Sequence, residues 1–106
     1  MPRLTTPPSM PEEVSVAIDA LGNRARLEVL RILSRHGQLT LTEVAEALGI
    51  DRSSARRHLV TLEELGFVQG DVPHDERWRR TTVRWQADAH AVDQAFSALR
   101  DYAAGR

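Results

Sequence analysis

Between Gln38 and Gly70, two short amphipathic patterns meet across a single glycine and run straight into a strand-like stretch. No other feature constrains the fold as much. Thr40 and Glu43 stand three apart, the spacing of a capping box, in which each side chain bonds the other's backbone N–H. They open a short helix whose apolar side is Val44, Ala45 and Leu48. Gly49 ends it, because glycine reaches the left-handed backbone without steric penalty. Ile50 fills the turn. Asp51 caps a second helix whose core stripe is Ala55, Leu59 and Leu62, and Gly66 stops it. Helix, glycine-bearing turn and second helix at this spacing make a helix-turn-helix.

The second helix indicates what it faces. At about 100° per residue, Ser53, Arg57 and Val60 fall opposite the Ala55/Leu59/Leu62 stripe, with Arg56 on the flank. Arg52, Arg56 and Arg57 make the stretch from Arg52 to His58 basic, with no acid in it. Small residues allow close approach to a DNA major groove, and arginine reads guanine and phosphate. A solvated basic face is the plainer alternative. The turn spacing and the hairpin that follows favour DNA.

The net charge of −1 is not the basic balance of a strong DNA binder, so the distribution has to carry the argument. Positive charge is concentrated at residues 52–58 and at Arg77, Arg79, Arg80 and Arg84. A winged helix puts these two places on one face. All 14 basic residues are arginine, which a GC-rich genome would also produce.

At 106 residues the chain is one domain with a modest core. It has no apolar run near the roughly 18 residues of a membrane span and no signal pattern, so a cytoplasmic location is expected. There is no cysteine, which excludes disulfides, thiolate metal sites and thiol redox sensing.

In chain order, residues 1–10 are rich in Pro and Thr without a period and read as a disordered tail; the domain spans 11–104. A first helix starts near Pro11, capped by Ser9 or Met10, with Glu12 and Glu13 suiting its positive end. Its stripe is Val14, Ala17, Ile18 and Leu21. Asn23 caps a second helix from about Arg24 to His36. Leu27, Leu30 and Leu33, widened by Val29 and Ile32, place it in the core. Gln38 and Leu39 suit a very short strand. Phe67–Val72 and Thr81–Gln86 form a hairpin, the wing, around a polar loop. Trp78 at its tip either packs over the stem or touches DNA sugar. Val83 and Trp85 alternate as an apolar strand face. Asp88 caps a last helix with Val92, Phe96, Leu99 and Ala103 on one stripe. The expected class is mainly α, about five helices plus a two-stranded hairpin. Stripes on both end helices exceed what one small core needs. Part of Val14, Ile18, Leu21, Val92, Phe96 and Leu99 is therefore a candidate homodimer seam, the alternative being that both helices pack on the domain.

Three stretches resemble the ArsR family of winged helix-turn-helix regulators. Leu21-Gly22-Asn23-Arg24-Ala25-Arg26-Leu27, continuing to Val29-Leu30, is similar to the family's L-x-[DN]-P-T-R-x-x-[IV]-L opening, with Arg24 where proline is usual. Leu41–Ala45 through Ser53–Leu59 resembles its helix-turn-helix, including Arg57-His58-Leu59. Phe67-Val68 through Val83-Arg84-Trp85 resembles its wing, here longer and more basic. The resemblance implies a dimeric repressor on a near-palindromic operator, with first and last helices at the dimer interface. It implies DNA contacts from Arg52, Ser53, Ser54, Arg56, Arg57 and His58, and from wing arginines Arg77, Arg79 and Arg80.

The departures concern sensing. Where many relatives carry metal-binding cysteines, this chain has Thr40 and Thr42. Of the family's last-helix site, Asp88 and His90 match one half, while Asp101 and Ala104 leave the other short of ligands. A helix cap and a solvated histidine are the reading adopted, with no metal or cofactor expected and the effector unidentified. Double-stranded DNA and a second copy are the expected partners, with no membrane. A winged helix that contacts protein without DNA is the alternative function. No Ser/His/Asp, metal or glycine-rich phosphate motif suggests an enzyme.

Overall fold

The computed structural model describes residues 7, 9–73, 76, 77 and 82–106. Its elements are α1 (Glu12–Leu21), α2 (Arg24–His36), β1 (Leu39–Thr40), α3 (Leu41–Leu48), α4 (Arg52–Glu64), β2 (Val68–Gly70), β3 (Arg84–Ala87) and α5 (Ala89–Ala103). The tail expected at residues 1–10 lies mostly outside the described residues, as do Trp78, Arg79 and Arg80, which the sequence reading assigns to the wing tip.

Local chemistry sets most element starts. Asn23 accepts from Arg26 N at 3.1 Å and begins α2. Thr40 Oγ1 accepts from Glu43 N at 3.2 Å, and Glu43 Oε1 accepts from Thr40 N at 2.9 Å, completing the capping box of α3. The bond from Thr40 N, followed by the interaction with the Thr40 hydroxyl, holds the Glu43 carboxyl below its usual pKa. Asp88 accepts from Ala91 N at 3.0 Å and begins α5. α1 departs from expectation: its cap is Pro11, which offers no side-chain bond, rather than Ser9 or Met10. Between α3 and α4, Gly49 sits at φ 68°, and Ile50 N donates to Ala45 O at 3.1 Å. That left-handed turn swings the chain from one helix of the motif into the other.

The sheet has three strands rather than two, in the order β1-β3-β2, antiparallel throughout. Leu39 is opposite Trp85, and Gly70 pairs with Trp85 from the other side. The short strand expected at Gln38 and Leu39 falls one residue later, at Leu39–Thr40. β3 thus ties the wing back to the segment before α3.

The core is built where α2, α3, α4 and the sheet converge, with Leu33, Leu59, Leu62, Val29, Val44 and Val68 its largest fully buried side chains. Ala55, Leu59 and Leu62 are all at 0% exposure, as the stripe on α4 requires. Leu27 corrects the reading of α2: it is 42% exposed. A three-residue repeat drifts about 60° per step on a 3.6-residue helix, so Leu27 lies about 120° from Leu33. The buried arc is Val29, Leu30, Ile32 and Leu33. α1 packs against α5 and α2.

Leu62 fixes α4 against this core. Leu62→Ala should cost about 2–5 kcal/mol, because the cavity left behind cannot collapse fully. Chemical denaturation with a two-state fit measures it.

Candidate nucleic-acid interface

α4 presents its outward face because its inward face is fully committed. Arg52, Ser53, Arg56 and Arg57 are exposed around its first two turns. Ser54 is half-buried and engaged: its N and Oγ both donate to Asp51, at 3.0 and 2.7 Å. These bonds hold the Asp51 carboxyl below its ordinary value. Arg57 Nη2 donates to Ser54 Oγ at 3.4 Å, so the cap extends a light tether to the guanidinium. Three arginines and the positive end of the helix dipole together suit polyanion binding, partly offset by the capping carboxylate. Ser53 is the small exposed residue one turn before Arg57, where a backbone can come close.

His58 stands apart from the other expected contacts. It is half-buried, and its Nδ1 is enclosed with no hydrogen-bond partner among the described residues. Burial lowers its pKa below the ordinary 6.5, with further lowering from Arg26 and Arg57. Arg26 lies behind it and donates from Nη1 to Asp19 O at 2.6 Å, tying α2 to the end of α1. His58 is thus kept neutral at pH 7, which removes charge from any phosphate contact it makes.

Arg77 corrects the reading of the wing. Instead of reaching outward, its side chain is only 12% exposed. Its Nη1 donates to Glu63 Oε1 at 3.0 Å, and its Nε donates to Val72 O at 3.1 Å. The signal that could have revealed this is Glu63 itself. A carboxylate in the last turn of a helix faces the negative dipole end, which calls for a nearby cation. Arg84, on β3, is exposed.

The expected dimer residues separate into two groups. Val14 at 2% and Leu21 at 8% are buried within the protomer, so they belong to its own core. Ile18 is 44% exposed and Phe96 47%, while Val92 and Leu99 are half-buried. Leu27 joins the exposed set. With Leu30, Val92 and Phe96 it lines an open groove of about 380 Å³ between α2 and α5.

Toward metal, Asp88 spends an oxygen on its cap, and Asp101 pairs with Arg106 at 3.0 Å. No group of three or more His, Cys, Asp or Glu gathers into a metal-binding cluster among the described residues. Nor is any described helix long and apolar enough to cross a membrane.

Comparison with known proteins places this geometry. The family model of the IclR helix-turn-helix domain matches residues 26–72. The HTH-type transcriptional regulator NmtR of Mycobacterium tuberculosis is 39% identical over 87 residues, which are 82% of this chain and 68% of that protein. An ArsR-like transcriptional regulator from Rhodococcus sp. RHA1 superposes with a TM-score of 0.68 at 21% identity, over 89% of this chain and 82% of that one. The homodimeric winged helix-turn-helix DNA-binding domain of a possible ArsR-family regulator from Mycobacterium bovis superposes with a TM-score of 0.64 at 23% identity, over 87% and 79%.

Two outcomes follow, one from the exposed face of α4 and one from half-buried His58. An arginine bidentate to guanine discriminates by about 1–3 kcal/mol, and twice that where two copies bind paired half-sites. Arg57→Ala should therefore weaken specific DNA by about 2–6 kcal/mol and non-specific DNA much less, read by paired titrations; equal loss on both would make Arg57 a phosphate contact. The second outcome concerns pH. With its folded pKa depressed, His58 leaves the native state with fewer protons than the unfolded chain at acid pH. Its contribution to stability is full above pH about 6.5 and is lost as pH falls towards the folded value. Thermal melts from pH 8 to 5 should show this decline, and His58→Gln should reduce it.

Proposed function

The chain belongs to the ArsR family of winged helix-turn-helix transcriptional regulators, and from that premise we propose a homodimeric repressor that reads a near-palindromic operator. The observation that carries the reading is the division of α4. Ala55, Leu59 and Leu62 are wholly buried, while Arg52, Ser53, Arg56 and Arg57 line the outward side. The helix enters the major groove by its N-terminal turns. Arg57 reads bases, Arg56 and Arg52 grip the flanking phosphates, and Ser53 admits the backbone. Arg84 on β3, joined by Arg79 and Arg80 that the sequence reading assigns to the wing, follows the adjacent backbone. Repression works by occupying the operator against polymerase, in the cytoplasm where the DNA lies.

Two copies meet through the exposed apolar residues of the end helices, Ile18 and Phe96, extended by Leu27 at the edge of α2. Large exposed apolar side chains on a small domain mark an association surface. A two-fold dimer presents two recognition helices to half-sites one helical turn apart, which is what a palindrome requires.

Selection of bound sequences from a random DNA pool tests the reading. Inverted half-sites about 10 base pairs apart are expected; recovery of no sequence would favour a protein-contact module. The dimer has its own test. Phe96→Glu buries an unpaired charge in the apolar seam, so light scattering at micromolar concentration should give the monomer mass. Operator affinity should fall with it. A wild-type monomer refutes the paired half-site arrangement.

A further inference from the structure

The wing is attached to the recognition helix at one guanidinium. Arg77 donates from Nη1 and Nη2 to the two carboxylate oxygens of Glu63, at 3.0 and 2.5 Å. Its Nε donates to Val72 O at 3.1 Å, and its guanidinium carbon lies 4.6 Å from the centroid of the Trp85 ring. Gly70 N donates to Glu63 Oε2 at 3.4 Å. Glu63 belongs to the last turn of α4, Gly70 to β2, Val72 and Arg77 to the loop, and Trp85 to β3. Between α4 and β2 the chain turns at Gly66, with φ 90°. The cluster therefore spans that turn, with the helix on one side and both wing strands on the other.

The fit is close. A Cβ added at Gly70 would meet Arg77 Nη2 at 2.6 Å and Val83 Cγ1 at 3.0 Å, so the guanidinium occupies space that any larger residue would claim. The side chains of Arg77 and Glu63 are 12% and 24% exposed. A planar fork that pairs bidentately and stacks on an indole is a task for arginine and not for lysine.

We propose that Arg77 is a positioning residue: clamped by Glu63 and Trp85, it fixes the angle between wing and recognition helix so that both reach DNA as one rigid unit. This rests on the DNA-binding reading above. It assigns Arg77 a role distinct from the arginines that touch the backbone. It also explains an acidic residue at the end of a helix whose other end seeks an anion. Holding the two elements in one geometry lowers the ordering cost paid on binding.

The test uses the full chain and two variants that keep a positive charge at residue 77. Glu63→Gln removes an acid near a DNA-binding face, so long-range electrostatics alone tightens binding. Arg77→Lys keeps the point charge that a phosphate contact needs and loses the fork and the stack. Three readouts are taken: trypsin cleavage after residue 77 in the free protein, followed by mass spectrometry; affinity for the DNA that the wild type selects; and affinity for scrambled DNA. The positioning role predicts that both variants are cut about tenfold faster and bind selected DNA about tenfold more weakly, as expected when a semi-buried charge pair is broken. Scrambled DNA should weaken by a similar factor, because the wing meets the phosphate backbone whatever the sequence.

Gly70→Ala, which displaces the guanidinium sterically, is the second route to the same state should either variant melt early. It should reproduce the weakened binding with every charge intact. Selected DNA bound by Glu63→Gln as tightly as by the wild type, or rescue by Arg77→Lys, overturns the positioning role and makes Arg77 a direct contact or a bystander. Unchanged cleavage overturns the clamp itself. A wild-type chain that selects no DNA overturns the regulator reading and this proposal with it, an outcome distinct from the others because no variant is needed to see it.

Discussion

The structure depends first on the complete burial of one side of α4. Ala55, Leu59 and Leu62 are at 0% exposure against a core that includes Val29, Leu33 and Val44. A helix held this way cannot rotate without exposing three apolar side chains, so the direction of Ser53, Arg56 and Arg57 is a consequence of packing. Asp51 and Ser54 add a fixed starting point, so that both the rotation and the first turn of the helix are determined before any ligand arrives. A helix face prepared in this way loses little conformational freedom when a ligand meets it.

Much of this was legible in the sequence because its causes are local. Asn23, Thr40, Asp51 and Asp88 each bond a backbone N–H three residues ahead, and such bonds depend on residue type and spacing alone. Gly49 and Gly66 mark two of the four places, with Gly37 and Gly105, where the described backbone takes positive φ. What could not be read depends on which surfaces meet. Val14 and Leu21 looked identical to Ile18 as members of one apolar stripe. α1 buries the first two in its own domain and leaves the third outside. Arg77 looked like its neighbours Arg79 and Arg80, since charge carries no information about direction. Its partner Glu63 lies 14 residues away, beyond any helical or strand period. His58 looked like one more residue of a basic face, and Arg26 behind it could be located only once α2 and α4 were packed.

Electrostatics and packing divide the arginines of this chain into different trades. Arg26 serves α1 through the Asp19 carbonyl, Arg77 serves the wing through Glu63, and Arg31 pairs along α2 with Glu28. Arg52, Arg56 and Arg57 have no carboxylate partner in an ion pair among the described residues. A net charge of −1 is therefore compatible with a strongly positive working face, because much of the acid lies elsewhere, for example at Glu12, Glu13, Asp93 and Asp101 along the α1/α5 groove.

The central place of β3 has a consequence for how this domain can be cut and inherited. β3 receives β1 from before the helix-turn-helix and β2 from after it, so the sheet closes a ring of chain around α3 and α4. A segment such as residues 26–72, the part matched by the IclR helix-turn-helix domain, contains α3, α4 and two strands but not the strand between them. Excised alone, it leaves two unsatisfied strand edges and loses Trp85 from the core cluster to which Val68 belongs. In this domain the two helices and their flanking strands therefore depend on a third strand from outside the matched segment. The unit that closes on itself here is the ring, and the pair of helices is the part of it that is easiest to recognise.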